Sequence, residues 1–295
     1  MEVLQHHPDM LLRSEHFAAM RINWNDKTQG LQEIAAELNI GIESLAFLDD
    51  NPVEREQVRV ALPEVSVIDL PSDPQRYAEI LRGCPSFERL TLSSEDQQRT
   101  SIYAEQTKRA HAEQSFQSKE DFFYFLQQKA EISPVTTATL PRVAQLTQKT
   151  NQFNLTTRRF TEQQLLEIAN TPNQQVMTIR VRDRFGDHGL VGVAITRDEY
   201  DVCEIEAFLL SCRVIGRTVE TAFLSHLANA AVKRGSMRLI GPFVPTKKNT
   251  PSKTFYAQHG FELREQNGEA ELWALDLRAR RINCPDWIKV IDANA

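Results

Sequence analysis

The chain contains no uninterrupted apolar run approaching the ~18 residues that a membrane helix needs, so no membrane span is expected. Its first residues, Met1-Glu2-Val3-Leu4-Gln5-His6-His7-Pro8, lack the charged-then-apolar order of a secretory signal. Cysteine is scarce: Cys84, Cys203, Cys212 and Cys284 lie far apart and form neither CxxC pairs nor a disulfide framework. The expected setting is therefore reducing and cytoplasmic. Positive charge is also in deficit. Thirty-four Lys and Arg against 40 Asp and Glu leave a net charge of −6, which excludes a nucleic-acid-binding surface over the whole chain. No nucleic-acid partner is expected, and no internal repeat or low-complexity tract is apparent. What is present is an ordinary globular composition, 41% hydrophobic and 25% charged. At roughly 100–200 residues per domain, 295 residues favour two domains.

Up to about Leu70 the pattern is that of a parallel α/β sheet. Leu31, Ile34, Ala35 and Leu38 repeat at helical spacing, and the apolar run Leu45-Ala46-Phe47-Leu48 ends in Asp49-Asp50. Asn51 reads as an N-cap with Pro52 at the first helical position and Glu54 close behind, so a helix is predicted from Pro52 to about Ala61. Val65–Ile68 reads as the next strand. From Asp73 to Gln128 the chain reads as a helical connector, with one helix from Ser94 to His111 and a shorter one from Ser118 whose Phe122–Phe125 aromatics need burial. From about Ala130 strands are predicted at Val176–Val181, Leu190–Ile195 and Cys203–Leu210, with a turn at Gly186-Asp187-His188-Gly189. A helix over Thr218–Arg234, a strand at Met237–Ile240, a helix at Ser252–His259 and strands near Phe261–Leu263 and Glu271–Leu277 complete an α+β pattern. The expected division is 1–72, a connector over 73–129, a second domain over 130–279 that folds on its own, and a tail over 280–295.

Two adjacent carboxylates at the end of a parallel strand lie where α/β folds place ligands. Asp49 and Asp50 can together take part in holding Mg²⁺, with Lys27 on the same edge offsetting phosphate charge. The same residues also read as helix caps and a solvated lysine, and spacing alone leaves both readings open.

The segment Phe47-Leu48-Asp49-Asp50-Asn51-Pro52-Val53-Glu54-Arg55, preceded by Arg21-Ile22-Asn23-Trp24-Asn25-Asp26-Lys27, resembles the third and fourth motifs of a haloacid-dehalogenase (HAD) phosphatase domain. The resemblance is to the FkbH-like subfamily, HAD-IIIC. Further signatures of that subfamily match Leu146–Arg159, with its Lys149-Thr150-Asn151-Gln152-Phe153-Asn154 core, and Arg184-Phe185-Gly186-Asp187-His188-Gly189-Leu190. The resemblance implies that Lys27 stabilises phosphate and that Asp49 and Asp50 are the metal-side acids. The family's Asp-x-Asp-x-Thr-like nucleophile loop does not occur upstream of Lys27, nor does its second motif. The expectation is thus an N-terminally truncated, incomplete Rossmann-like HAD remnant. As it stands it should not hydrolyse phosphate monoesters, and its unpaired sheet edges favour self-association or local disorder over about Met1–Leu70.

In the second half, Ile205–Leu210 followed by Ser211-Cys212-Arg213-Val214-Ile215-Gly216-Arg217-Thr218 reads as strand, tight loop and helix start, a place where backbone N–H groups suit a pyrophosphate. Arg213, Gly216, Arg217 and Thr218 resemble the phosphate loop of GCN5-related acyltransferases (GNAT fold), with Thr218 in place of the last small residue. Asn249-Thr250-Pro251-Ser252-Lys253-Thr254-Phe255-Tyr256-Ala257-Gln258-His259-Gly260-Phe261 resembles the later motif of that fold. By that resemblance Asn249 and Tyr256 lie near an acyl thioester, Tyr256 protonating the leaving thiolate. The alternative is that Phe255, Tyr256 and Phe261 are core and Gly260 a helix cap. Cys212, at a strand end beside an electropositive loop, is a candidate nucleophile with His188 as base, or else a structural cysteine. Lys247-Lys248 is a small basic patch that suits an acidic carrier-protein helix or simply a solvated loop.

What the resemblance implies is glyceryl or acyl transfer from a phosphorylated three-carbon donor, 1,3-bisphosphoglycerate in the family, to the phosphopantetheine thiol of an acyl carrier protein in polyketide-type biosynthesis. Mg²⁺ and a CoA or phosphopantetheine thioester are the implied cofactors. Two other classes remain open: an acyl-CoA-dependent N- or S-acyltransferase, and a non-catalytic carrier-protein docking module.

Overall fold

The computed structural model describes residues 2–88 and 99–292. It is an α/β structure in two units, Met1–Ala112 and Glu113–Ala295. Among the described residues no helix is long and apolar enough to cross a membrane.

The first unit contains α1 (Glu2–His6), α2 (Lys27–Leu38), β1 (Ala46–Phe47), α3 (Pro52–Ala61), β2 (Ser66–Val67), α4 (Tyr77–Arg82) and most of α5 (Arg99–Glu113). Capping decides the two principal helices. The Asp26 carboxylate accepts the Thr28 N–H at 2.7 Å, and the Asn51 side chain accepts the Val53 N–H at 2.9 Å ahead of Pro52. Asn39 ends α2 in the left-handed region at φ 51°. β1 and β2 pair in parallel, Ala46 with Ser66 and Phe47 with Val67, around a small core of Phe47, Val58, Leu62 and Val65. Leu11, Ile22, Trp24 and Val60 stand exposed. The start expected for the connector helix at Ser94 lies outside the described residues; α5 bonds back to α2 through Thr107 and Glu37.

The second unit is one eight-stranded sheet flanked by helices. Its elements are α6 (Lys119–Leu126), β3 (Gln128–Pro134), α7 (Leu140–Lys149), α8 (Glu162–Ala169), β4 (Gln174–Asp183), β5 (Gly186–Glu199), β6 (Val202–Leu210), α9 (Val219–Lys233), β7 (Arg238–Phe243), α10 (Phe255–Gln258), β8 (Glu262–Asn267), β9 (Ala270–Asp276) and β10 (Ile288–Asp292). The strand order is β10-β3-β4-β5-β6-β7-β9-β8, with β10 parallel to β3 and β6 parallel to β7. One face packs on α9 and α10 through Ile179, Ile205, Phe208, Phe223 and Phe255. The other packs on α7 and α8 through Val143, Leu165, Val193 and Leu209. Central strands covered on both faces become continuously apolar, which is why Ala207-Phe208-Leu209-Leu210 is buried at every position.

Three expectations are corrected. His188 lies inside β5, not in a turn, because the hairpin closes at Arg184–Phe185. The connector is divided: α5 falls almost wholly in the first unit, and α6 packs in the second, where Phe123 meets Trp287 at 5.5 Å between ring centres. The tail is no tail. β10 adds a parallel edge strand to β3 over five residues, and a fragment limited to 130–277 would lose that pairing.

Two half-buried histidines make this unit acid-sensitive. Burial pushes His226 and His259 below their ordinary value of 6.5, and the Thr221 hydroxyl and the Phe255 carbonyl hold the two His259 ring nitrogens at 2.9 and 2.7 Å. The unfolded chain takes up protons below 6.5 that the folded chain refuses, so stability falls as pH drops below 6.5. Thermal unfolding followed between pH 7.5 and 5 is expected to show that loss, and His259→Gln to reduce it.

Candidate functional site

The β4–β5 hairpin and the loop between β6 and α9 build one buried polar cluster. Asp183 organises it. Its Oδ1 accepts the backbone N–H groups of Phe185 at 2.9 Å and Gly186 at 3.2 Å, which makes the turn. Its Oδ2 lies 3.1 Å from His188 Nε2 and accepts from Arg217 Nη1 at 2.9 Å. The Asp183 side chain is fully buried, and His188 and Arg217 are nearly so. Arg217 also donates to the Arg213 carbonyl, and Arg213 donates to the His188 carbonyl at 3.1 Å. A carboxylate out of water requires such pairing, because its desolvation cost is several kcal/mol, of order that for any buried ion.

Cys212 occupies the exit of β6. The residue before it, Ser211, donates its backbone N–H to Val191 at 2.7 Å, and the residue after it is Arg213, held on His188. The Cys212 side chain is half-buried. Cys203, on the same strand, is fully buried, and burial beside Asp198 pushes its thiol up to about 12. Iodoacetamide applied to the native chain at about pH 8 is therefore expected to modify Cys212 and leave Cys203 intact, read by peptide mass mapping.

The loop expected to hold a pyrophosphate is partly spent on the chain itself. Gly216 and Thr218 adopt φ of 79° and 61°, the left-handed conformations that let the loop turn tightly into α9. The Arg217 guanidinium points inward to Asp183. The Thr218 hydroxyl donates to the Arg217 carbonyl at 2.7 Å and accepts from Trp287 Nε1 at 2.8 Å. At the N-terminus of α9 sits the Glu220 carboxyl. Burial pushes it up, and backbone hydrogen bonds from Glu220 and Thr218 together with the nearby Arg217 charge oppose that rise. A CoA pyrophosphate would find neither the Arg217 nor the Thr218 side chain available to it.

The opening between β6 and β7 is also filled. The two strands pair only from Val202–Glu204 with Arg238–Ile240. Beyond that, residues 153–155 lie between them: Leu155 N–H bonds to Phe208 at 3.1 Å, Leu210 N–H to Phe153 at 2.9 Å, and Val244 N–H to Leu155 at 2.8 Å. Asn249 locks this insert. Its amide nitrogen donates to Asn154 and Val244, both at 2.9 Å, and its oxygen accepts the Thr246 N–H at 2.7 Å. The 146–159 signature is thus largely a packing device. Arg159 bonds the Thr147 and Thr150 carbonyls, and Asn154 caps the Thr157 N–H at 2.9 Å. Tyr256 is completely buried among Phe255, Phe261 and Trp273, against Gly241, and burial raises its hydroxyl above the usual range. The structure therefore places Asn249 and Tyr256 inside the core, sets Arg213 on His188 and Arg217 on Asp183, and leaves Cys212, Gly216 and Thr218 beside them in the same loop. Asp183 and Glu220 escaped the sequence reading, since a lone acid before a Gly-containing turn reads as turn chemistry.

In the first unit Lys27 Nζ lies 3.9 Å from Asp49 Oδ2. Asp49 Oδ1 accepts the Asn51 N–H at 2.9 Å, and the Arg55 guanidinium ties down the Asp49 and Asp50 carbonyls at 2.6 and 3.1 Å. No group of three or more His, Cys, Asp or Glu able to hold a metal occurs among the described residues. Two carboxylates, one already facing a lysine, do not by themselves make a divalent-cation cage.

No family model and no curated protein matches the chain. Among solved structures, the ribosomal-protein-S18-alanine N-acetyltransferase from Escherichia coli is 17% identical over 50% of this chain and 94% of its own, with a TM-score of 0.39. The PaiA N-acetyltransferase from Thermoplasma acidophilum, solved with coenzyme A, is 11% identical over 50% of this chain and 98% of its own, with a TM-score of 0.41. The N-terminal part of BF1531 from Bacteroides fragilis, which contains a phosphatase domain complexed with Mg, is 40% identical over 31% of this chain and 24% of its own, with a TM-score of 0.30. The chain is thus similar over half its length to N-acetyltransferases, and over just under a third to a protein containing a phosphatase domain.

Proposed function

We propose that this chain is an FkbH-like protein whose second unit carries an acyl group as a thioester on Cys212 and hands it to the phosphopantetheine thiol of an acyl carrier protein. The observation that carries the reading is the half-buried Cys212, set between Ser211 and Arg213 at the rim of the Asp183–His188–Arg217 cluster. The donor is a phosphorylated three-carbon acyl phosphate. The Cys212 thiolate attacks its carbonyl, a C–S bond forms, the acyl C–O bond to phosphate breaks, and phosphate leaves with the electron pair. His188 is the proposed acceptor of the thiol proton, with Asp183 holding its ring. The carrier thiolate then attacks the thioester and Cys212 leaves as thiolate, so no redox partner is required. An acyl-CoA donor is disfavoured because Arg217 is turned to Asp183 and residues 153–155 fill the gap between β6 and β7.

Intact-protein mass spectrometry after incubation with 3-phosphoglyceroyl phosphate tests this. One acyl adduct is expected on the wild-type chain, discharged by phosphopantetheinylated carrier protein. Cys212→Ala is expected to carry none, and Cys212→Ser to form an ester that is not passed on. An adduct persisting in Cys212→Ala would overturn the reading.

A further inference from the structure

The helices α7 and α8 cover only part of their face of the sheet, over Val176, Val193, Ile195, Ala207 and Leu209. The outer end of that face, formed by β10, β3 and β4, is bare, and its charges are arranged at odds with folding. In register across the strands run Lys289, Lys129 and Arg182. All three are exposed, and none has an ion-pair partner among the described residues. Like charges directly opposite one another across a sheet destabilise it. Nearby acids do not relieve the row. Asp187, the register partner of Arg182, is turned to Arg180 at 2.8 Å, and Glu131 lies in the next row, opposite Arg180.

We propose that this outer face of β10, β3 and β4 is a docking surface for an acidic helix of a partner protein. Neighbouring strands stand roughly 4.8 Å apart, so the three cations form a ladder at that spacing. Side chains on a sheet face rise nearly parallel and do not converge on a point, which suits a line of carboxylates better than a single phosphate. Acidic residues four apart on a helix are spaced about 5–6 Å, close to the ladder's rungs. A depression of about 190 Å³ beside the ladder is lined by Lys129, Arg180 and Arg182 together with Glu131 and Asp187, and Ile291 is its one apolar side chain. The unbalanced row is then a stability cost retained for binding. This inference does not depend on the chemistry of Cys212.

The test uses the full chain and a fluorescent alanine-based helical peptide with Glu at three positions spaced by four. Saturable binding is expected at about 20 mM salt, weakened at least five-fold near 150 mM as screening sets in. Lys129→Glu combined with Arg182→Glu is expected to weaken it at least five-fold, while Lys129→Glu alone raises the thermal midpoint. A peptide of the same composition with its helix broken by a central proline is expected to bind at least five-fold more weakly. Wild-type binding by the double variant overturns the proposal, and so does equal binding of the broken peptide. Full displacement of the helix by inorganic phosphate at equal concentration also overturns it, in favour of a small-anion site. Because the thermal midpoint is measured on the same variants, loss of binding through unfolding is recognised directly.

Discussion

Arg217→Ala is expected to cost about 3–5 kcal/mol of folding stability, because it strands the Asp183 carboxylate in the interior. That carboxylate has no exposed surface, and Arg217 Nη1 at 2.9 Å is its charge partner. His188 remains at 3.1 Å, but an imidazole pairs a carboxylate fully only when protonated. Urea unfolding of the ligand-free chain measures the loss. Asp183→Asn added to Arg217→Ala is expected to restore a good part of it, since the stranded charge is removed while the side-chain oxygen still serves the Phe185 and Gly186 N–H groups. A single-variant loss under about 1 kcal/mol would show that the cluster is solvated and that the charge pairing carries little.

Asn249→Ala is the second large effect, about 3 kcal/mol. The side chain is fully buried and makes three hydrogen bonds, and each lost bond that leaves a buried group unpaired costs about 1 kcal/mol or more. The damage has a predicted location. Residues 153–155 lose their lock, so the amides of Leu155 and Leu210 exchange faster while those of β3 and β4 keep their protection. Uniformly faster exchange across the sheet would mean that Asn249 holds the whole unit and not the insert. Either way the effect appears without any ligand, which separates an architectural Asn249 from one that binds an acyl thioester.

Much of the fold was legible because the signals are local. Asn51, Pro52 and Glu54 sit within one helical turn, and the helix from Pro52 to Ala61 follows from them alone. The runs that became β4 and β6 carry their own β-branched and aromatic residues, and Gly216 marks a position where the chain must turn into a helix. Those features depend on neighbours a few residues apart, and the strand-loop-helix at Cys212–Thr218 was read on the same basis.

What tertiary structure decided lies at long range. Ile288 and Val290 read as a tail until β3, about 160 residues earlier, supplies the backbone they pair with. His188 looked like part of a turn because of the glycines around it, yet Asp183 pulled the turn back to Arg184–Phe185 by accepting its backbone N–H groups, and His188 went into a strand. Arg217 read as a phosphate ligand because its loop has the right spacing, but spacing says nothing of where a guanidinium points. A fully buried carboxylate 34 positions earlier settled it. Residue order alone thus determined the helix from Pro52, the runs of β4 and β6 and the loop at Cys212. Which charges went inside was decided only by packing, because the cost of burying a charge is set by the partner that the folded chain brings to it.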